Sequence, residues 1–181
     1  NMIVANGGRL SHTPNTATEQ YRLNLDVTGG LTIEEGGEIN VVGCGFAVKN
    51  GPGRADSNSS GASHGGHGTD NIMTSMGYGA YGSIYEPITA GSGGGSSAGG
   101  GIIRLGVGGT FSNNGAVVAS GVNASHYTGA GGSIWLTAGN ISGSGVFRAN
   151  GGAVTSYTPG GGGRIAVTVT NSGAKIAGFS G

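Results

Sequence analysis

Cysteine occurs once, at Cys44, so no intramolecular disulfide can form and stability has to come from other sources. Its neighbours Val41, Val42 and Phe46 are apolar, the setting of a buried structural thiol rather than a reactive one. Charge is also scarce: 9% of residues are Asp, Glu, Lys or Arg, and Lys49 and Lys175 are the only lysines. A net charge of zero without a dense basic patch disfavours nucleic-acid binding. No apolar run approaches the roughly 18 residues of a spanning helix, so no membrane span is expected, and no signal peptide is evident. The sequence opens on Asn1 rather than Met, which suggests a mature or excised segment of a longer precursor.

What the chain has instead is glycine, 44 residues of 181, against roughly 7% in ordinary proteins. No three-residue period runs through it, which excludes collagen, and the 35% of hydrophobic residues fall in clusters, which argues against disorder. With so few charges the solvating groups are Ser, Thr, Asn and bare backbone. Such a surface suits a protein that works outside the cell or at its surface.

The second half carries an internal repeat. Gly-Gly-Ile-Ile-Arg-Leu (100–105), Gly-Gly-Ser-Ile-Trp-Leu (131–136) and Gly-Gly-Arg-Ile-Ala-Val (162–167) place Ile103, Ile134 and Ile165 at intervals of 31 residues (134 − 103 and 165 − 134). Each unit alternates as a half-buried strand does, giving Ile103, Leu105, Val107, then Ile134, Leu136, Ala138, then Ile165, Val167, Val169 as an inward core ladder. Arg104, Trp135 and Ala166 point outward and stack on one another at the ~4.8 Å spacing of neighbouring strands. A second short strand is expected in 116–119, 146–149 and 174–177, with the facing of its residues left open.

The first half repeats the pattern in degenerate form through Leu23, Leu25 and Val27, then Leu31, Ile33, Ile39 and Val41. Between the halves lies a glycine-rich insertion at about 50–101, with shorter counterparts at 122–133 and 153–164, expected to form one flank. Together these features predict a single all-β domain over 1–181, a right-handed parallel β-helix (β-solenoid) with long glycine-rich loops on one flank. The recurring Gly-Gly-x-Ile-x-Leu strands and Asn-Gly-Gly turns resemble the glycine-rich parallel β-helix repeats of bacterial cell-surface proteins, adhesin-like and autotransporter-passenger-like. That resemblance is architectural and implies no catalytic motif.

Each chemical candidate has a plainer alternative. His64 and His67, with Asp56 and Asp70 near them in sequence, are weak candidates for a metal; a turn or packing role is the plainer reading. Glu34, Glu35 and Glu38 crowd one turn and suggest calcium, against solvated turn acids; no other cofactor is expected. A polysaccharide lyase or hydrolase would need clustered acids on the strand face, yet every Asp and Glu lies at or before Glu86, so an enzyme is not expected. Ser63, His64 and Asp70 lack the nucleophile-elbow context of a hydrolytic triad. Trp135, Tyr127 and Tyr157 offer stacking surfaces for sugar rings, and Arg104 is placed for a cation–π contact with Trp135; the alternative is that they only cover the wall.

Residues 1–86 hold all eight acids with Arg9, Arg22, Lys49 and Arg54, a net −4; residues 87–181 hold Arg104, Arg148, Arg164 and Lys175, a net +4. Opposite charge at the two ends, with units that begin and stop part-way, favours head-to-tail self-association. The expected function is therefore an extracellular structural protein, a subunit or segment of a fibre or stalk. A carbohydrate- or surface-binding adhesin segment is the alternative, and a polysaccharide-processing β-helix enzyme the third reading.

Overall fold

The computed structural model describes residues 1–55, 59–69, 79–171 and 173. Among them are ten strands and no helix: β1 Met2–Val4, β2 Arg9–Leu10, β3 Leu23–Val27, β4 Leu31–Ile33, β5 Glu38–Asn40, β6 Ile102–Asn113, β7 Ala116–Val118, β8 Ser133–Ser142, β9 Val146–Arg148 and β10 Arg164–Val169. They build two parallel sheets. One runs β1-β4-β6-β8-β10 with β3 also paired to β6; the other runs β2-β5-β7-β9.

The strands form where apolar side chains alternate. In β6 and β8 the inward Ile103, Leu105, Val107, Ile134, Leu136 and Ala138 are buried, and they pair directly: Ile103 with Ile134, Leu105 with Leu136, Val107 with Ala138. β10 continues the register, Ile165 on Ile134, Val167 on Leu136 and Val169 on Ala138. At this outermost strand the row meets solvent: Ile165 is 45% and Val167 41% exposed, and Val169 is half-buried. Phe111 in the larger sheet and Phe147 in the smaller meet with ring centroids 5.9 Å apart, so the two sheets share one core. Val117 is buried and pairs with Phe147, while Arg148 is exposed, which establishes the facing of the second strands; 174–177 lies outside the described residues.

The expected right-handed β-helix is not what forms. The strands make a two-sheet parallel domain whose units are not equivalent. β6 carries two separate strands on one edge, β3 against Ile103 to Val107 and β4 against Phe111 to Asn113. Its register against β8 shifts between Val107 and Thr110. The physical reason lies in the glycines, which occupy the stretches where further regular strands would be needed.

Those stretches do not lie as loops along a flank. Gly45 N–H donates to Gly99 O (2.8 Å), Gly91 to Gly100 O (2.9 Å), Gly100 to Ala130 O (2.9 Å), Gly131 to Gly161 O (3.0 Å), Gly161 to Ala62 O (2.8 Å) and Ala62 to Thr128 O (3.1 Å). Segments from all parts of the chain thus lie side by side and satisfy one another's peptide groups without a β ladder. Close approach requires glycine here. A Cβ on Gly132 would lie 2.5 Å from the carbonyl carbon and oxygen of Gly100 and would overlap Gly101 O.

Candidate functional site

The outward face of the larger sheet is built by the residues between the core positions. Arg104 on β6 and Trp135 on β8 are register partners, and the guanidinium carbon sits 5.4 Å from the indole centroid. The same Arg104 Nη1 donates to both carboxylate oxygens of Asp26 on β3, at 3.0 and 3.1 Å. Gly106, the register partner of Asp26, makes this possible, because a Cβ there would overlap Asp26 Oδ1. On the other side of Trp135 the partner is Ala166, whose methyl group leaves that side of the indole uncrowded. Next to this row runs an open groove of about 330 Å³, lined by Asp26, Thr28, Gly106, Gly108, Thr137 and Thr170.

Tyr127 and Tyr157 occupy the two equivalent turns of 122–133 and 153–164, which are tied by a parallel bridge between Ala124 and Val154. His126 stacks on Tyr157 at 4.9 Å, and Tyr127 lies 5.2 Å from the same ring. Both tyrosines adopt a left-handed backbone, φ 32° and 70°, rare for aromatic residues. Thr128 at the base of the first turn is buried, its hydroxyl donating to Gly152 O and accepting Gly160 N–H.

The remaining candidates are not brought together. His64 is fully buried: Nδ1 is 2.7 Å from Gly131 O, which can only accept, so Nδ1 carries the proton and Nε2 accepts from the Thr89 hydroxyl at 3.0 Å. Burial lowers its pKa to about 4, with the Arg164 charge acting in the same direction against the opposing hydrogen bond to Gly131. Both nitrogens are committed, and His67 is exposed three residues on. Asp56 and Asp70 lie outside the described residues. Ser63 accepts Gly68 N–H at 2.9 Å, and among the described residues it makes no contact of a nucleophile with a base. Glu34 accepts Asn6 N–H (3.1 Å), Glu38 accepts the Asn40 amide (2.9 Å), and Glu35 is exposed. Among the described residues no three His, Cys, Asp or Glu side chains are gathered as a metal would require.

Several organising residues escape a reading of the sequence. Tyr81 donates to Ala90 O (2.5 Å) and contacts the Ser92 hydroxyl (2.7 Å), which accepts Gly53 N–H; burial raises the phenol well above its ordinary pKa. Glu19 accepts Ala90 N–H at 2.8 Å and pairs with Arg22, and His12 Nε2 accepts Ile102 N–H at 3.1 Å. Asn15, also buried, accepts from Gln20 and Tyr21 N–H and donates to the carbonyls of Tyr21 and Cys44. The only signal for these is a polar residue between turn residues, a pattern too common to select them.

No family model, curated protein or solved structure matches the chain. No helix among the described residues is long and apolar enough to cross a membrane.

Proposed function

We propose that the chain is a structural rather than catalytic protein of the cell exterior, which associates with further copies by continuing its larger sheet edge to edge. The observation that carries this reading is the exposed apolar row of β10. Ile165 and Val167 stand in register with the buried Ile134 and Leu136 yet have no strand beyond them among the described residues. At the opposite edge, Leu23, Leu25 and Val27 on β3 are half-buried in the same row. In a parallel sheet the two outer edges offer complementary halves of one hydrogen-bond ladder, so one copy's β10 can receive another's β3 with all strands running the same way. Such a contact is heterologous, and where it does not close it propagates as a filament. The excess of acids before residue 87 and of bases after it adds attraction between unlike ends. Sedimentation velocity and negative-stain microscopy at rising concentration and low salt test the proposal. End-to-end assemblies are expected from the parent protein, and Ile165→Lys with Val167→Lys should leave it monomeric. A parent protein that stays monomeric throughout refutes it.

A further inference from the structure

The groove on the outward face crosses the larger sheet from Asp26 on β3 to Thr170 just after β10, and its ligand is a separate question from the edge-to-edge self-association just described. We infer that it is a binding site for a neutral oligosaccharide whose rings present one apolar C–H face. Three observations lead there. First, the charges beside the groove are already spent on each other: both Asp26 oxygens receive Arg104, and Arg104 lies over Trp135. An anionic or cationic ligand would have to break that arrangement, whereas a hydroxyl can donate to the remaining lone pairs of Asp26, whose side chain is 71% exposed. Second, the groove is mostly apolar, with Gly106 and Gly108 leaving room at its floor and Thr28, Thr137 and Thr170 among its lining residues, the Thr170 hydroxyl donating to Ala138 O. Its volume of about 330 Å³ falls at the lower end for ligand sites, and it is open to solvent. Third, the indole of Trp135 lies on the same face as Thr137, two residues away, roughly 7 Å along the strand. A sugar in the groove therefore has a neighbour in reach of the indole, on the side that Ala166 leaves uncrowded.

Asp26 and Trp135 make the polar and stacking contacts in this assignment, and Gly106 and Arg104 position Asp26. Trp135 is the single tryptophan of the chain, so its emission reports directly on this face. The test titrates the full chain with cellohexaose, following Trp135 emission and, in parallel, calorimetric heat. A saturable emission change is expected. Asp26→Ala, judged by emission and heat, and Trp135→Ala, judged by heat alone, should each weaken affinity about tenfold or more. Tyr85→Ala, on a distant exposed loop, should leave it unchanged. Thermal melts matching the parent protein establish that each variant is folded, and Trp135→Phe provides a second substitution should Trp135→Ala melt early. Absence of any saturable response up to the solubility of cellohexaose overturns the assignment. So does binding that survives both the Asp26 and Trp135 substitutions, and so does a response to hexagalacturonate alone, which would mean an acidic ligand.

Discussion

Gly132→Ala and Gly162→Ala differ by thirty residues and one methyl group in the same kind of sequence, yet the structure assigns them opposite outcomes. The new Cβ of Gly132→Ala would lie 2.5 Å from the Gly100 carbonyl, where real Cβ atoms keep at least 3.0 Å, and closer still to Gly101 O. Every atom it meets is backbone, so no side chain can swing away and the two segments must part. The hydrogen bonds at risk are Gly132 N–H to Ala119 O (2.6 Å), Ser133 N–H to Gly101 O (3.0 Å) and Arg164 N–H to Gly132 O (2.9 Å). At about 0.5–1.5 kcal/mol net for each bond, loss of two or three costs about 1–4.5 kcal/mol. For a domain of this size, that lowers the melting temperature by about 2–18 °C. On Gly162 the Cβ meets nothing within 4 Å and the backbone is not left-handed, so Gly162→Ala should fall within about 1 kcal/mol of the parent, on the stabilising side through reduced chain entropy. Urea and thermal unfolding read by Trp135 emission measure both, since that residue lies three positions after Gly132. Equal melting temperatures for the two variants would refute the view that glycine serves here to let backbones touch.

Two further predictions use the core and the buried imidazole. Leu136→Ala removes a fully buried side chain and should cost about 2–5 kcal/mol in urea unfolding, whereas Val167→Ala, 41% exposed on the outer strand, should cost under about 1 kcal/mol. His64 binds its proton less readily in the folded chain, at about 4, than in the unfolded chain, near 6.5. Its contribution is therefore complete above pH 6.5 and is lost as pH falls from 6.5 to 4, by up to about 3 kcal/mol. His64→Asn should flatten the fall in unfolding free energy over that interval, leaving the smaller part from His12, whose pKa burial also lowers; a slope identical to the parent's would remove His64 as its source.

The strand rows were legible because two independent patterns coincide in them. Alternation assigns each of Ile103, Leu105 and Val107 to one face, and the 31-residue self-similarity names its neighbour, so Ile134 and Ile165 follow as register partners. Burial was not carried by pattern at the outer strand: Ile165 has the sequence signature of Ile134 and a different environment. The glycine segments were opaque for a more basic reason. A residue without a side chain has no inward or outward alternative, so nothing in Gly91, Gly100, Gly131 or Gly161 says which other segment it will lie against. That opacity produced the wrong expectation of a continuous β-helix with flanking loops. It also left His64, in the Ser-His-Gly-Gly-His stretch, with a turn or packing role but no partners that could be named. The groups that enclose and bond it, Gly131, Thr89 and Tyr81, come from segments that only the glycine packing draws together.

β6 is the one strand to which β3, β4 and β8 all bind, and its partners on one side precede it by a long way: Leu23 meets Ile103 and Leu31 meets Phe111. A nascent chain that has reached residue 90 therefore holds its first apolar strands without the surface on which they dock. Closing loops of that length before any contact repays them slows the step that joins these strands to β6. The pairs β1–β4 and β2–β5 can form within the first forty residues, but β3 and β4 reach the larger sheet only when β6 arrives, so that strand is the point at which the early and late parts of the chain become one structure.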